Sequence, residues 1–259
     1  MHVILMSILA SVVGTALGGL LAAVLGSKSD KLTGLALSFA GGVMTSISFF
    51  ELLPEAIVHS NMAVAVAGLA GGAAVVLGLN YLLDRITDVG RKNPKLHETY
   101  QELYHESELL AQKKSMMRSG LLMLCAIAIH DIPEGLVIGA TGRHDAALAA
   151  TLAVMIAVHN IPEGIAIAAP LIAGGMGRWK TFLLTVVEGL PSVAGALIGY
   201  YVGGISGVAV ALSLSAAAGA MLYVVFGEIL PQCIVMRKDR APMIVLLAGI
   251  VLGMLLSRI

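Results

Sequence analysis

The stretch IHDIPEGLVIGA (Ile129–Ala140) and its near copy VHNIPEGIAIAAP (Val158–Pro170) decide how this chain folds. Each lies inside an apolar run long enough to cross a bilayer, which takes ~20 such residues. Each also places an imidazole, a proline and a carboxylate within that run. A charged group at the centre of a bilayer costs ~2.5–3.5 kcal/mol even on lenient scales, so such residues face a protein interior and serve a purpose.

The rest of the chain fits that reading. Of its 259 residues, 58% are hydrophobic and only 12% charged, and the mean hydropathy is +0.92. Soluble domains carry about 25% charged residues. Thirty glycines in this background point to closely packed membrane helices. Cys125 and Cys233 fall in or beside apolar runs and read as buried free thiols. The expected class is an all-α polytopic membrane protein forming one transmembrane domain over 1–259.

Eight spans can be marked, roughly 3–25, 32–58, 62–83, 117–141, 146–172, 180–202, 206–232 and 242–258. The first has no basic flank of the kind a cleaved signal carries, and is expected to be retained as a helix. The one long connection, 84–116, is charged, and HETYQELYHESELLAQKKS within it reads as a solvated helix. His97 and His105 lie on it and are expected to be solvated. Fourteen of the sixteen lysines and arginines fall on the side of the loops after spans one, three, five and seven, while Arg143 and Arg258 lie opposite. By the positive-inside rule both termini face outside and the long loop is cytoplasmic. This count places Arg118 on the loop and leaves no lysine or arginine in any span interior.

Two motifs occur twice. His-Xaa-Ile-Pro-Glu-Gly recurs on spans four and five, which a short loop forces to run antiparallel. Glu-Xaa-Leu-Pro recurs in FFELLPEAI of span two and VFGEILPQCI of span seven. Like motifs on antiparallel helices suit an inverted repeat around a central site.

Within a helix, positions i and i+4 share a face, which aligns His130 with Glu134 and His159 with Glu163. Asp131 and Asn160 lie ~100° round from them, able to line an adjacent site. Glu188, beside Gly189 and Pro191 in span six, is a further carboxylate in an apolar run. With no fixed cation assigned to these spans, the carboxylates must be protonated or share a mobile cation. Imidazole with carboxylate suits Zn²⁺ and other first-row divalent ions. Glu51 and Glu228 are weaker candidates near helix ends, and Glu55 with His59 is expected at the outer mouth. Met44 reads as core, although a thioether can ligate soft metals. An intramembrane hydrolase would want His-Glu-Xaa-Xaa-His, which does not occur; a proton or monovalent-cation carrier remains the alternative.

At HDIPEGLVIG, HNIPEGIAIAAP and AGGVMTSISFFELLPEA the chain resembles the ZIP (Zrt/Irt-like) family of divalent-metal transporters, in the compact form of its bacterial GufA-like branch. The resemblance implies eight helices in a 3+2+3 inverted arrangement, with helices one, four, five and six moving against two, three, seven and eight in an elevator-like cycle. It implies a binuclear metal centre of His130, Asp131 and Glu134 from span four, His159, Asn160 and Glu163 from span five and Glu188 from span six. Met44 resembles a methionine that meets the metal in some members. It further implies zinc import, with Cd²⁺, Fe²⁺ and Mn²⁺ as other ions, by a homodimer in a bacterial inner membrane. No prosthetic group, enzymatic activity or nucleic-acid partner is expected. Asp131 departs from the asparagine found in many members, and the cytoplasmic loop lacks the histidine-rich tract of many relatives.

Overall fold

The structure is a computed structural model that describes residues 2–25, 30–87, 109–202, 206–237 and 239–256. Among these residues there are helices and short turns and no strand. We number the principal helices α1 (His2–Val24), α2 (Lys31–His59), α3 (Met62–Thr87), α4 (Leu109–Gly142), α5 (Ala146–Ala173), α6 (Arg178–Val202), α7 (Gly207–Met236) and α8 (Ala241–Leu256). Seven of them are long and apolar enough to cross a membrane, and α8 is a shorter apolar helix. The eight expected runs therefore appear as helices. The long loop is shorter than expected at both ends, because α3 continues to Thr87 and α4 already begins at Leu109. His97, His105 and most of the expected loop helix lie outside the described residues.

Local chemistry sets the starts of several helices. Asp145 caps α5 by accepting from the backbone N–H groups of Ala147 (3.0 Å) and Leu148 (2.9 Å), and Ser206 caps α7 through the Ala209 N–H. Before α8, exposed Asp239 accepts from the Ala241 N–H at 2.9 Å. That bond and the Arg237 guanidinium hold its carboxyl below the ordinary aspartate value.

Three helices contain wide π turns, at Ile8–Val13 in α1, Ser48–Leu52 in α2 and Val225–Ile229 in α7. The last two stand in the same register. Each ends two residues before a proline, Pro54 or Pro231, and each carries its glutamate, Glu51 or Glu228, as the fourth of its five residues. A proline ring excludes the carbonyl four residues behind it. Widening the turn moves that carbonyl aside, and the Leu53 and Leu230 N–H groups bond Ser48 and Val225, five residues back. Both Glu-Xaa-Leu-Pro copies thus produce one backbone device.

The glycines set the packing. A Cβ on Gly135 or Gly139 of α4 would overlap the carbonyls of Ser192 or Ala196 on α6, and one on Gly195 or Gly199 would overlap Ile132 or Leu136 in return. The same reciprocal approach joins α1 to α5 at Gly18 and Gly164, α3 to α7 at Gly72 and Gly219, and α2 to α8 at Gly42 and Gly249. Gly189 of α6 meets the backbone of α1, and Gly120 of α4 meets Leu171 of α5. With Gly207 of α7, whose Cβ would strike the His59 carbonyl of α2, these closest approaches sort the helices into two sets. One holds α1, α4, α5 and α6; the other holds α2, α3, α7 and α8. Where the sets meet, chiefly α2 with α5 and α4 with α7, the described glycines make no such approach.

Candidate metal centre

The histidines and carboxylates of the repeated motif face one another across α4 and α5, their i, i+4 spacing setting each pair on one face of its own helix. His130 Nε2 lies 2.9 Å from Glu134 Oε1 on its own helix and 3.5 Å from Glu163 Oε1 on α5. His159 Nε2 lies 2.8 Å from the same Glu134 oxygen. His130, Glu134 and Glu163 each offer a ligand atom such that the three lie within 4.8 Å of one another. His130 is only 1% exposed and Glu163 fully buried, so their polar atoms look for partners inside the protein.

Many of those partners are missing. Among the described residues, His130 Nδ1, Glu134 Oε2 and both Glu163 oxygens have no hydrogen-bond partner, and His130 Nε2 meets only carboxylate oxygens, those of Glu134 and Glu163. Buried polar atoms without partners are rare in native proteins and ask for an explanation such as an ion.

A second group lies beside the first. Both oxygens of Glu188 and the Asn160 carbonyl oxygen are likewise buried without partners among the described residues, and the buried Asp131 carboxylate has the Ser11 hydroxyl of α1 beside it. Asn160 is oriented by α1: its amide nitrogen donates to Ser11 Oγ at 3.1 Å and to the Ala10 carbonyl at 3.4 Å. With the nitrogen so engaged, its oxygen is the free atom. Glu188, Glu134 and Glu163 are all within electrostatic reach of Asp131. Glu188 ends the first half of α6, which breaks at Gly189 where the α1 backbone around Val12 comes too close for a side chain. The π turn of α1 and the break in α6 therefore meet at this second group.

Together the two groups hold four buried carboxylates and two imidazoles with no lysine or arginine among them. Buried charges of one sign are tolerable only when paired or neutralised. The arrangement can replace the hydration shell of one or two divalent cations with nitrogen and oxygen ligands.

Other candidate residues are placed differently. Met44 is fully buried in the main apolar core on α2. Glu51, half-buried on the π turn of α2, is within electrostatic reach of His159, Glu134 and His130. Glu55 and His59 form an exposed pair at 3.2 Å near the end of α2.

The expectation that span interiors hold no arginine fails at Arg118. It lies within α4, only 3% exposed, and pairs with Asp84 of α3 at 2.5 Å and Glu228 of α7 at 3.4 Å. It is the second residue of the run 117–141, and the charge count takes it with the loop because it stands at that edge. Ser7, Ser11 and Thr15 were also passed over, although all three are fully buried on α1. Their signal was present: small polar residues every four positions in an apolar span, one face of a helix. Ser7 contacts Ser192 at 3.2 Å, and Thr15 donates to the Thr185 carbonyl at 2.9 Å, fixing α1 on α6.

Comparison with known proteins converges on one family. The profile of the family described as ZIP Zinc transporter matches residues 84–257. The chain is 31% identical to the zinc transporter ZupT of Akkermansia muciniphila over 271 aligned positions, covering 100% of this chain and 97% of that one. It is 33% identical to the zinc transporters ZupT of Chlorobium chlorochromatii, over 84% of this chain and 82% of the relative, and of Corynebacterium glutamicum, over 91% and 90%.

Proposed function

Because the chain belongs to the ZIP family of zinc transporters, whose members carry metal rather than catalyse reactions, we propose that it imports Zn²⁺ into the cytoplasm through a binuclear site between α4, α5 and α6. His130, Glu134, His159 and Glu163 hold the first ion. Asp131, Asn160 and Glu188 complete the second position, with Glu134 and Glu163 bridging both. The observation that carries this reading is the set of buried, unpartnered ligand atoms on both motif copies. Met44 joins the first position from α2. Cd²⁺, Fe²⁺ and Mn²⁺ suit the same donors, since nitrogen and oxygen ligands bind first-row divalent ions generally.

The ion moves by displacement of one helix set against the other. This reading is supported by the glycine contacts, which weld each set internally. It is supported too by the repeat: exchanging α1 with α6, α2 with α7, α3 with α8 and α4 with α5 turns the α1–α5 contact into α6–α4 and α3–α7 into α8–α2. The paired π turns of α2 and α7 obey the same exchange. These correspondences favour the 3+2+3 inverted repeat, in which carriers rock or slide one bundle around a fixed site. A crevice of about 120 Å³ opens between the sets, lined by His59, by Pro133, Val137 and Thr141 of α4 and by Val210 and Ser213 of α7. It reaches Pro133, next to Glu134, from the end that the charge distribution assigns to the outside. The protein works in a bacterial inner membrane as a homodimer.

The test is zinc uptake into proteoliposomes under an imposed gradient. The parent accumulates zinc, and Glu134→Ala with Glu163→Ala brings uptake to the level of empty vesicles. Retained uptake in the double variant would falsify the site.

A further inference from the structure

Two neighbours on α4, Arg118 and Ser119, concentrate polar contacts across the boundary between the helix sets. The Arg118 guanidinium bonds Asp84 and Asn80 of α3 and reaches Glu228 of α7. Ser119 Oγ donates to the other Glu228 oxygen at 2.5 Å. Asn80 Nδ2 donates to Glu228 Oε1 at 3.3 Å and to Tyr223 Oη at 2.9 Å. All but Asp84 and Tyr223 are buried. One cation from the first set is thus held by two carboxylates of the second.

Its position matters as much as its bonding. The cluster lies toward the end of the bundle that carries Arg85, Arg178 and Arg237, whereas the crevice opens at the other end. The repeat supplies a comparison. Glu228 and Glu51 occupy the same place in their π turns, so the opposite end has its own glutamate. Yet where α4 has Arg118, twelve residues before His130, α5 has Ala147, twelve before His159, and Ala147 is exposed. The polar clamp is present on one side of the pseudo-symmetric molecule and lacks its counterpart on the other.

We propose that Arg118 and Ser119 form a one-sided latch that closes the inner end of the boundary by gripping Glu228, Asp84 and Asn80, and so sets the resting carrier open outward. This rests on the reading that the two sets move against each other during transport. Arg118 is a positioning residue here, not a metal ligand. It travels with α4, and its partners stay with α3 and α7. Inward opening therefore breaks at least the Glu228 contacts, which raises the inward state relative to the outward one. A buried ion pair is a good selector of one geometry because its charges are costly to separate without compensation. The outer end, with alanine in the matching place, opens without that cost.

The experiment reads the state of the outer crevice. In a full-length chain carrying Cys125→Ala and Cys233→Ala, Ser213→Cys reports on the crevice through its rate of modification by a membrane-impermeant maleimide on intact cells. Glu228→Gln lowers that rate about tenfold, the drop expected when an outward-dominated population becomes inward-dominated. Ser119→Ala, which leaves the ion pair in place, lowers it about threefold by the same arithmetic. General loosening of the packing would instead raise labelling, so direction separates a latch from a merely structural role. Both variants bind zinc in equilibrium dialysis as the parent does. An unchanged or faster rate in Ser119→Ala overturns the latch, whether or not Glu228→Gln folds. A parent that takes up no zinc overturns the transport reading instead, while the labelling comparison still decides the latch.

Discussion

Asp131 makes the two halves of the site unequal, since its counterpart on α5 is Asn160. The Asp131 carboxylate is buried with the Ser11 hydroxyl beside it, whereas Asn160 has its nitrogen committed to α1. In the proposed binuclear site the aspartate would therefore supply the second position with a charge and a second ligand oxygen that asparagine lacks. In Asp131→Asn the zinc stoichiometry in equilibrium dialysis at neutral pH falls from two to one, with the first ion retained; two ions bound as tightly as in the parent would show that the charge is not needed. Most of this cluster could be read from sequence, because an imidazole and a carboxylate four residues apart share a helix face, and in an apolar run that face needs a polar partner. Arg118 could not. Hydropathy treats an arginine at the edge of a span as a snorkelling or loop residue, and only the fold reveals that Asp84 and Glu228 enclose it.

At the scale of the helix, glycine and proline do different work. Glycine lets backbones touch: α4 and α6 approach until the Gly139 position lies against the Ala196 carbonyl. Small residues at such seams drive helix association in lipid, where the hydrophobic effect between helices is absent. Gly139→Ala forces the seam apart and costs about 1–3 kcal/mol, the usual price of overpacking, seen as a lower thermal midpoint in detergent. Gly78→Ala of α3 is the control. It has nothing within 4 Å to strike, and its midpoint stays level or rises, since alanine favours the helix. The number of helices and their rough bounds were legible because apolar run length is a property of composition. The π turns were not, since a change of hydrogen-bond register adds no residue type to the sequence. Their one trace is the proline two residues downstream in FFELLP and VFGEILP, and proline alone does not say whether a helix will kink, break or widen.

Across the whole molecule, the side on which the crevice opens and the side of the latch hang on one quantity, the orientation in the membrane. The sequence speaks to it through charge: fourteen of the sixteen basic residues fall on one side. The fold places Arg85 at the end of α3 and Arg178 at the start of α6 at that side, with Asn61 and His144 in turns at the other. Buried Arg118 belongs to a contact rather than to a loop, so it should not be counted as a topological signal. Removing it leaves thirteen against two, and the bias stands. In the cysteine-free background, single cysteines at Asn61 and His144 are then modified by an impermeant maleimide on intact cells. Cysteines at Gly177 and Trp179, both exposed in the turn and first residues of α6, react only after permeabilisation. The reverse pattern would turn the molecule over, and with it two conclusions at once. The crevice beside Pro133 would open to the cytoplasm, and the Arg118 latch would close the outer face. The sidedness of the crevice and that of the latch therefore stand or fall together on the same four labelling rates.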